Sequence, residues 1–411
     1  MTTDAGVAQR KATARQQGGL RILLFGSFYP RTDRLATTTT GLLLLLANSP
    51  LVSEVKCVVP RGALCPDGVP AHVHLDQVWD YDDIRSLFHA LREILRVRNG
   101  HDVLLFNILL TSFGKRRLSN LIGLCIPIVA GLLVRKRAVV YLHNLVEAQS
   151  VKKLGYDASR ISLIGIRAVE RILAIVCRLV VPLSSQREAF NPMFRDCVDT
   201  LFVPHLEGIF GWSLIRDAFM KDRRKSIDGR KRLLLFGAWG PQKDLGGFLN
   251  VLLGANQEFE DIDIMIAGET NSNFPSHALV YSSLKARYSS SHVSFLGAVS
   301  ERELAELLVS ADLLVLPYNA TGGYSAVMSV GSLYGVPMVA YDQAELRETA
   351  RLVGARVSFI AQSDLDKIGS LIMRVLKPKT PPPPPSVDDI STKVLASTEV
   401  LDRFLAGIPR R

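Results

Sequence analysis

From Leu20 onward the chain alternates short apolar runs with longer stretches of helical periodicity. Leu20–Phe25 is an apolar run interrupted only by Arg21, and it stops at Gly26-Ser27. Such a run fits a strand buried on both faces, as parallel sheets require. The stretch 37–47 has the length of a helix but opens on four threonines. Strands are predicted at 54–59, 102–107, 138–142, near 179–182 and at 201–203, with helices at 82–97, 118–134 and 161–175 between them. Strand–helix alternation of this kind builds a parallel, doubly wound sheet.

The rhythm breaks over 208–230, a connector of mixed charge, and then restarts. Strands are predicted at 232–236, 263–267, 292–296, 313–317 and 337–341, and helices at 246–254, 277–287, 301–309 and 325–334. The class is therefore α/β, with two Rossmann-like domains and a cleft between their sheets, where ligands meet the carboxyl ends of strands. The expected organisation is an arm at 1–18, a first domain at 19–207, the connector at 208–230 and a second domain at 231–376. A proline-rich linker at 377–386 and a C-terminal helix within 387–411 complete it. The five consecutive prolines Pro381–Pro385 cannot be helix and favour stiff polyproline II. Ile390, Val394, Leu395, Val400, Leu401 and Phe404 recur at near-helical spacing, so the linker is expected to carry this helix back to the first domain.

Composition changes the picture in a few respects. The net charge of +10 points to acidic partners, such as phosphorylated substrates or anionic lipid. The five cysteines include no CxxC pair and support neither a disulfide framework nor a zinc site. Residues 1–18 lack the apolar core of a secretory signal, and a cytoplasmic location is expected. The apolar segment 121–134 contains Pro127 and is bracketed by Lys115-Arg116-Arg117 and Arg135-Lys136-Arg137. Its two readings are a buried core helix and a segment lying on anionic lipid at the inner face of the membrane. The basic groups are not interleaved with aromatics, so nucleic acid is not an expected partner. A dinucleotide dehydrogenase is disfavoured, because Gly26-Ser-Phe-Tyr-Pro-Arg-Thr follows the first strand in place of Gly-x-Gly-x-x-Gly.

The densest chemistry follows the strand at Asp312–Pro317. The loop there contains Gly322, Gly323 and Tyr324 and opens a helix at Ser325. The glycines allow close backbone approach, Ser325 suits an N-cap, and a helix N-terminus suits a pyrophosphate. The plainer reading is a tight turn between strand and helix. Arg31 and Thr37, after the first strand, suit an acceptor phosphate; the threonines equally suit a plain helix start. No Asp-x-Asp stands at a strand end, since Asp261-x-Asp263 precedes a strand, so no metal site is expected.

The order Phe295-Leu-Gly297, Asp312-Leu-Leu-Val-Leu-Pro317, Gly323-x-Ser325-x-Val327, Tyr334-Gly-Val-Pro337 and Glu345 resembles the nucleotide-sugar half of glycosyltransferase family 4. The resemblance runs clearly over about 231–350 and more weakly over 20–205. It implies the GT-B fold, two facing Rossmann-like domains. It further implies that Lys243, after the strand and glycine Leu233–Gly237, contacts donor phosphates. Gly268-Glu269 would then lie beside the base or ribose, His143 would face the cleft, and Gly26-Ser27 would meet the acceptor. On that footing a retaining, metal-independent transfer is expected from a UDP- or GDP-sugar to a glycan or lipid-linked acceptor. The nucleotide sugar is a co-substrate, and no cofactor is expected. His143 and Lys243 carry the expected catalytic roles.

The family's usual arginine after its glycine is Ala238 here, and its paired glutamates align with Gly322 and Val330. These departures support an alternative, a catalytically inactive GT-B homologue serving as a scaffold or partner subunit.

Overall fold

The structure is a computed structural model. It describes residues 18–29, 34–65, 69–110, 112–114, 116–145, 154, 160–203, 230–254, 259, 261–271, 274–377 and 387–409. Arg31, Lys115, residues 208–229 of the connector and the five prolines lie outside these residues.

The chain divides into two compact units. In the first, β1 (Leu20–Gly26), α1 (Arg34–Asn48), β2 (Val52–Pro60), β3 (Val73–Trp79), α2 (Ile84–Val97) and β4 (Val103–Ile108) alternate. After them come α3 (Arg117–Val134), β5 (Ala138–Leu142), α4 (Arg160–Val176), β6 (Arg178–Val181), α5 (Ser184–Ala189) and β7 (Val198–Thr200). The strands form a seven-stranded parallel sheet in the order β3-β2-β1-β4-β5-β6-β7. Its centre is apolar on both faces: Ile22 pairs with Val103 and Phe25 with Phe106, and all four side chains are buried.

In the first unit two strands differ from the sequence expectation, for identifiable reasons. Strand β3 was not predicted; it is an edge strand whose first residues are half-buried or exposed, so it shows no continuous apolar run. The last strand is Val198–Thr200, not 201–203. Leu201 only continues the line, its N–H donating to the Val181 carbonyl at 3.0 Å. The threonines that open α1 fit the helix because Thr39 and Thr40 Oγ1 donate back to the Leu35 and Ala36 carbonyls, at 2.8 and 3.0 Å.

The second unit follows the same logic. Strands β8 (Lys231–Phe236), β9 (Ile262–Ala267), β10 (Val293–Gly297), β11 (Leu313–Leu316), β12 (Met338–Tyr341) and β13 (Val357–Ile360) pair in parallel as β10-β9-β8-β11-β12-β13. The helices are α6 (Leu245–Gly254), α7 (His277–Tyr288), α8 (Glu301–Ser310), α9 (Ala326–Leu333), α10 (Ala344–Val353) and α11 (Ile368–Leu376). In each sheet the order reverses beside its first strand. Loops leaving the two strands that flank the reversal diverge to opposite faces and open a crevice at the carboxyl edge.

The final helix, α12 (Val387–Ala406), belongs from residue 391 to the first unit. Leu401, Phe404, Leu405 and Ile408 line one small apolar space together with Leu42, Tyr141 and Leu201. Arg178 holds the end of this tail: Nη1 donates to the Gly407 carbonyl at 2.9 Å, and the guanidinium lies 4.5 Å from the Phe404 ring centroid. Leu405 is buried. Replacing it by alanine is therefore expected to destabilise the first unit by about 3 kcal/mol, within the usual range for buried leucines. Urea denaturation of the full chain measures this, and a loss below about 1 kcal/mol would show that the tail only rests on the surface.

Candidate functional site

In the second unit the carboxyl ends of β8, β9 and β11 meet in one stitched set of loops. Trp239 N–H donates to the Glu269 carbonyl at 2.8 Å, and Asn271 N–H returns a bond to the Trp239 carbonyl at 2.7 Å. On the other side, Asp244 N–H donates to the Pro317 carbonyl at 2.7 Å and Asn319 N–H to the Gln242 carbonyl at 2.9 Å. Residues 237–245 are thereby held between the β9 and β11 loops, and Lys243 pairs with Tyr318 as an isolated antiparallel bridge.

This frame fixes where the Lys243 ammonium sits. Its Nζ lies 5.3 Å from the Trp239 ring centroid and 4.9 Å from that of Tyr318. It also lies 2.5 Å from where a Cβ on Gly237 would stand. Val327, in the first turn of α9, reaches to 3.4 Å from that same point. Lys243, Gly237 and the start of α9 therefore border one space. Ser325 caps α9, its Oγ accepting the Met328 N–H at 3.2 Å. The N–H groups before Met328, together with the helix dipole, leave partial positive charge at this end.

Gly268 stands closer still to Gly237. Its φ is +102°, and a methyl group on it would overlap the Gly237 carbonyl oxygen. The Tyr281 hydroxyl donates to the Gly268 carbonyl at 3.0 Å, and burial, with a lesser contribution from Glu269, pushes that phenol up to about 12. Glu269 itself is exposed, while the Tyr324 ring is buried. Asp244 is half-buried beside Tyr341, and burial raises its carboxyl above the ordinary range. The sequence reading missed Trp239, Tyr281 and Asp244. A lone tryptophan between two glycines was the one available signal.

In the first unit, Gly26 and His143 come together through a residue that the sequence reading passed over, Asn107. All three stand at the carboxyl ends of β1, β4 and β5. Asn107 Nδ2 donates to Thr39 Oγ1 at 2.8 Å, and Thr39 Oγ1 itself donates to the Leu35 carbonyl. The amide is thereby oriented with Oδ1 facing His143 Nε2, 2.6 Å away. An amide oxygen only accepts, so the proton of the neutral imidazole belongs on Nε2. A side chain at Gly26 would press on Thr39 and the Asn107 carbonyl, each 2.9 Å from a Cβ there. Ser27 Oγ hydrogen-bonds the Tyr81 hydroxyl at 2.5 Å, and Thr37 is half-buried within α1. A polar residue inside the apolar run Val103-Leu-Leu-Phe-Asn107-Ile108 was the signal that identifies Asn107.

Residues 230–377 match the family described as glycosyl transferases group 1. No curated protein sequence matches the chain. Among solved structures, Anabaena HepE in complex with UDP and glucose aligns with a TM-score of 0.64 at 12% identity, over 95% of this chain and 100% of that one. The UDP-forming α,α-trehalose-phosphate synthase of Burkholderia xenovorans, in complex with glucose-6-phosphate, gives 0.63 at 12% identity, over 94% and 99%. WaaG, a glycosyltransferase involved in lipopolysaccharide biosynthesis, gives 0.53 at 13% identity, over 94% and 95%. Residues 230–377 are thus similar to the glycosyl transferases group 1 family, and the chain shares the GT-B fold of these solved structures.

Proposed function

We propose that the protein transfers a sugar from a UDP- or GDP-linked donor to a glycan or lipid-linked acceptor, retaining the anomeric configuration and using no metal. The observation that carries this reading is the position of the Lys243 ammonium, over Gly237 and beside the N-terminus of α9. A leaving diphosphate placed there meets one full and several partial positive charges, which stabilise it as the glycosidic bond breaks. His143, oriented by Asn107 at the carboxyl end of β5, would face an acceptor or sugar hydroxyl. The UDP and glucose of the HepE complex and the UDP-forming synthase favour uridine as the base. The enzyme would work on the cytoplasmic side, at the inner face of an anionic membrane.

A thermal-shift series with UDP, GDP, TDP and their sugars tests this. The matching nucleotide at a hundredfold excess over its Kd should stabilise the fold by about 2.7 kcal/mol. If no nucleotide moves the transition, the donor reading fails.

Gly322, Val330 and Ala238, standing where the family has charged residues, favour a second reading: an inactive homologue that serves as a partner subunit. That reading predicts no sugar transfer or hydrolysis with any donor that binds.

A further inference from the structure

Helix α3 has an outward face unlike that of an ordinary soluble helix. Leu118, Leu121, Leu132 and Leu133 are each 53–64% exposed. Positions 118, 121, 125 and 132 fall on one helical stripe, where polar residues normally stand. The opposite side carries Leu124, Ile126, Ala130 and Val134, all buried in the core of the first unit. Two glycines bring the helix in close: a methyl on Gly123 would overlap the Phe113 ring, and one on Gly131 would stand 2.5 Å from Cys177 Sγ. By length and hydropathy α3 could span a bilayer. Lifting it out would empty that core, so its exposed stripe can meet lipid only by lying flat.

The neighbouring helices extend the same surface. Helix α4 packs against α3 and exposes Ile164, Ile172 and Ile175, at 41–66%. On the other flank α2 packs against α3 and turns Arg85, Phe88, Arg92 and Arg96 outward. Exposed Arg116, Arg135 and Lys136 stand at the ends of α3, and Arg160 and Arg167 on α4. The three helices contain two acidic residues in their sequences, Glu93 and Glu170. Glu170 is buried, and Glu93 is in ion pairs with Lys56 and Arg96.

We infer that the exposed faces of α2, α3 and α4 form a docking surface for an anionic lipid bilayer, with leucine and isoleucine side chains entering the headgroup boundary and the basic rim on the phosphates. Charge complementarity selects this occupant. A second copy of the chain would bring an identical basic rim against the first, and like charges repel across an isologous contact. Apolar side chains alone would serve any apolar partner; apolar side chains ringed by cations suit a negatively charged interface. The proposal rests on the membrane-side reading above. Its observations come from the first unit alone, so lipid binding and nucleotide binding can fail separately.

Vesicle flotation of the full chain tests it, with phosphatidylcholine alone and with a third of the lipid replaced by phosphatidylglycerol. The wild type should float with the anionic vesicles and far less with the neutral ones. The double variant Leu121→Glu/Leu132→Glu should remain at the bottom of the gradient. Arg135→Ser/Lys136→Ser, which leaves the apolar face intact, should weaken binding by roughly fivefold for each charge removed. Leu132→Ser/Ile164→Ser provides a milder apolar pair if the glutamates disturb folding, judged by circular dichroism. Nucleotide-induced thermal shifts should be the same in all of these variants. The inference is overturned if anionic vesicles fail to float the wild type, or if folded apolar variants float equally well. It is also overturned if sedimentation velocity shows a dimer that Leu132→Ser/Ile164→Ser dissociates.

Discussion

Replacing Lys243 by alanine is expected to lower kcat/KM for sugar transfer by roughly 10²–10³-fold, the usual cost of removing one charge-stabilising donor from a leaving group. The backbone around it should not move. The bridge to Tyr318 and the bonds from Asp244 and Asn319 are made by main-chain atoms, so the loop keeps its shape without the ammonium. The loss should therefore appear in kinetics and not in the melting temperature. Arginine should not rescue the activity. The ammonium fits because residue 237 has no Cβ, whose position lies 2.5 Å from Nζ, and a broad planar guanidinium needs more room than that. Steady-state kinetics with the donor identified by thermal shift gives the number. An effect smaller than about tenfold, or 1.4 kcal/mol, would remove Lys243 from the charge-stabilising role. Calorimetric titration of the bare nucleotide separates this result from the inactive-homologue reading, in which Lys243→Ala weakens binding while no variant transfers sugar.

Gly268→Ala should be the most damaging small substitution in the second unit, at about 2–6 kcal/mol. Two costs coincide there. A φ of +102° is one that side-chain-bearing residues rarely adopt, worth ~1–3 kcal/mol of backbone strain. The new methyl would also overlap the Gly237 carbonyl oxygen, a backbone atom that cannot swing aside, and forced overpacking typically costs ~1–3 kcal/mol more. Because Gly268 N–H donates to the Gly297 carbonyl at 2.6 Å and Tyr281 holds its own carbonyl, the strain would spread to the β9 and β10 ends together. Nucleotide binding should weaken in parallel. Gly254→Ala is the control: a Cβ there meets nothing within 4 Å, so stability should stay the same or rise by a few tenths of a kcal/mol. Urea denaturation of both variants decides the matter. Equal stabilities would mean that the loop at Gly268 relaxes freely and does not hold the site.

Individual elements show how far the chain could be read before folding. Leu104-Leu-Phe-Asn107 was legible as a strand because an apolar run buried on both faces needs no partner to identify it. Strand β3 was not legible, since an edge strand with half-exposed positions has the composition of a loop. Ser325 was legible as a cap because its role is local, a side chain bonding the N–H three residues on. Asn107 was not legible as the partner of His143. The two are 36 residues apart, and only adjacent parallel strands bring their ends together.

The sequence by itself determined the α/β class, the repeat of strand and helix in two halves, and the placing of Gly237, Lys243 and Ser325 at strand ends and a helix start. Those features depend on spacing within single elements. The tertiary structure alone decided which strand ends converge, that the Lys243 ammonium lies over Gly237, and that α12 returns to the first unit through Arg178. It also decided that one side of α3 is core while the other is bare leucine. An all-apolar helix has no polar face to indicate which way it turns, so its orientation is set only by the packing of its neighbours.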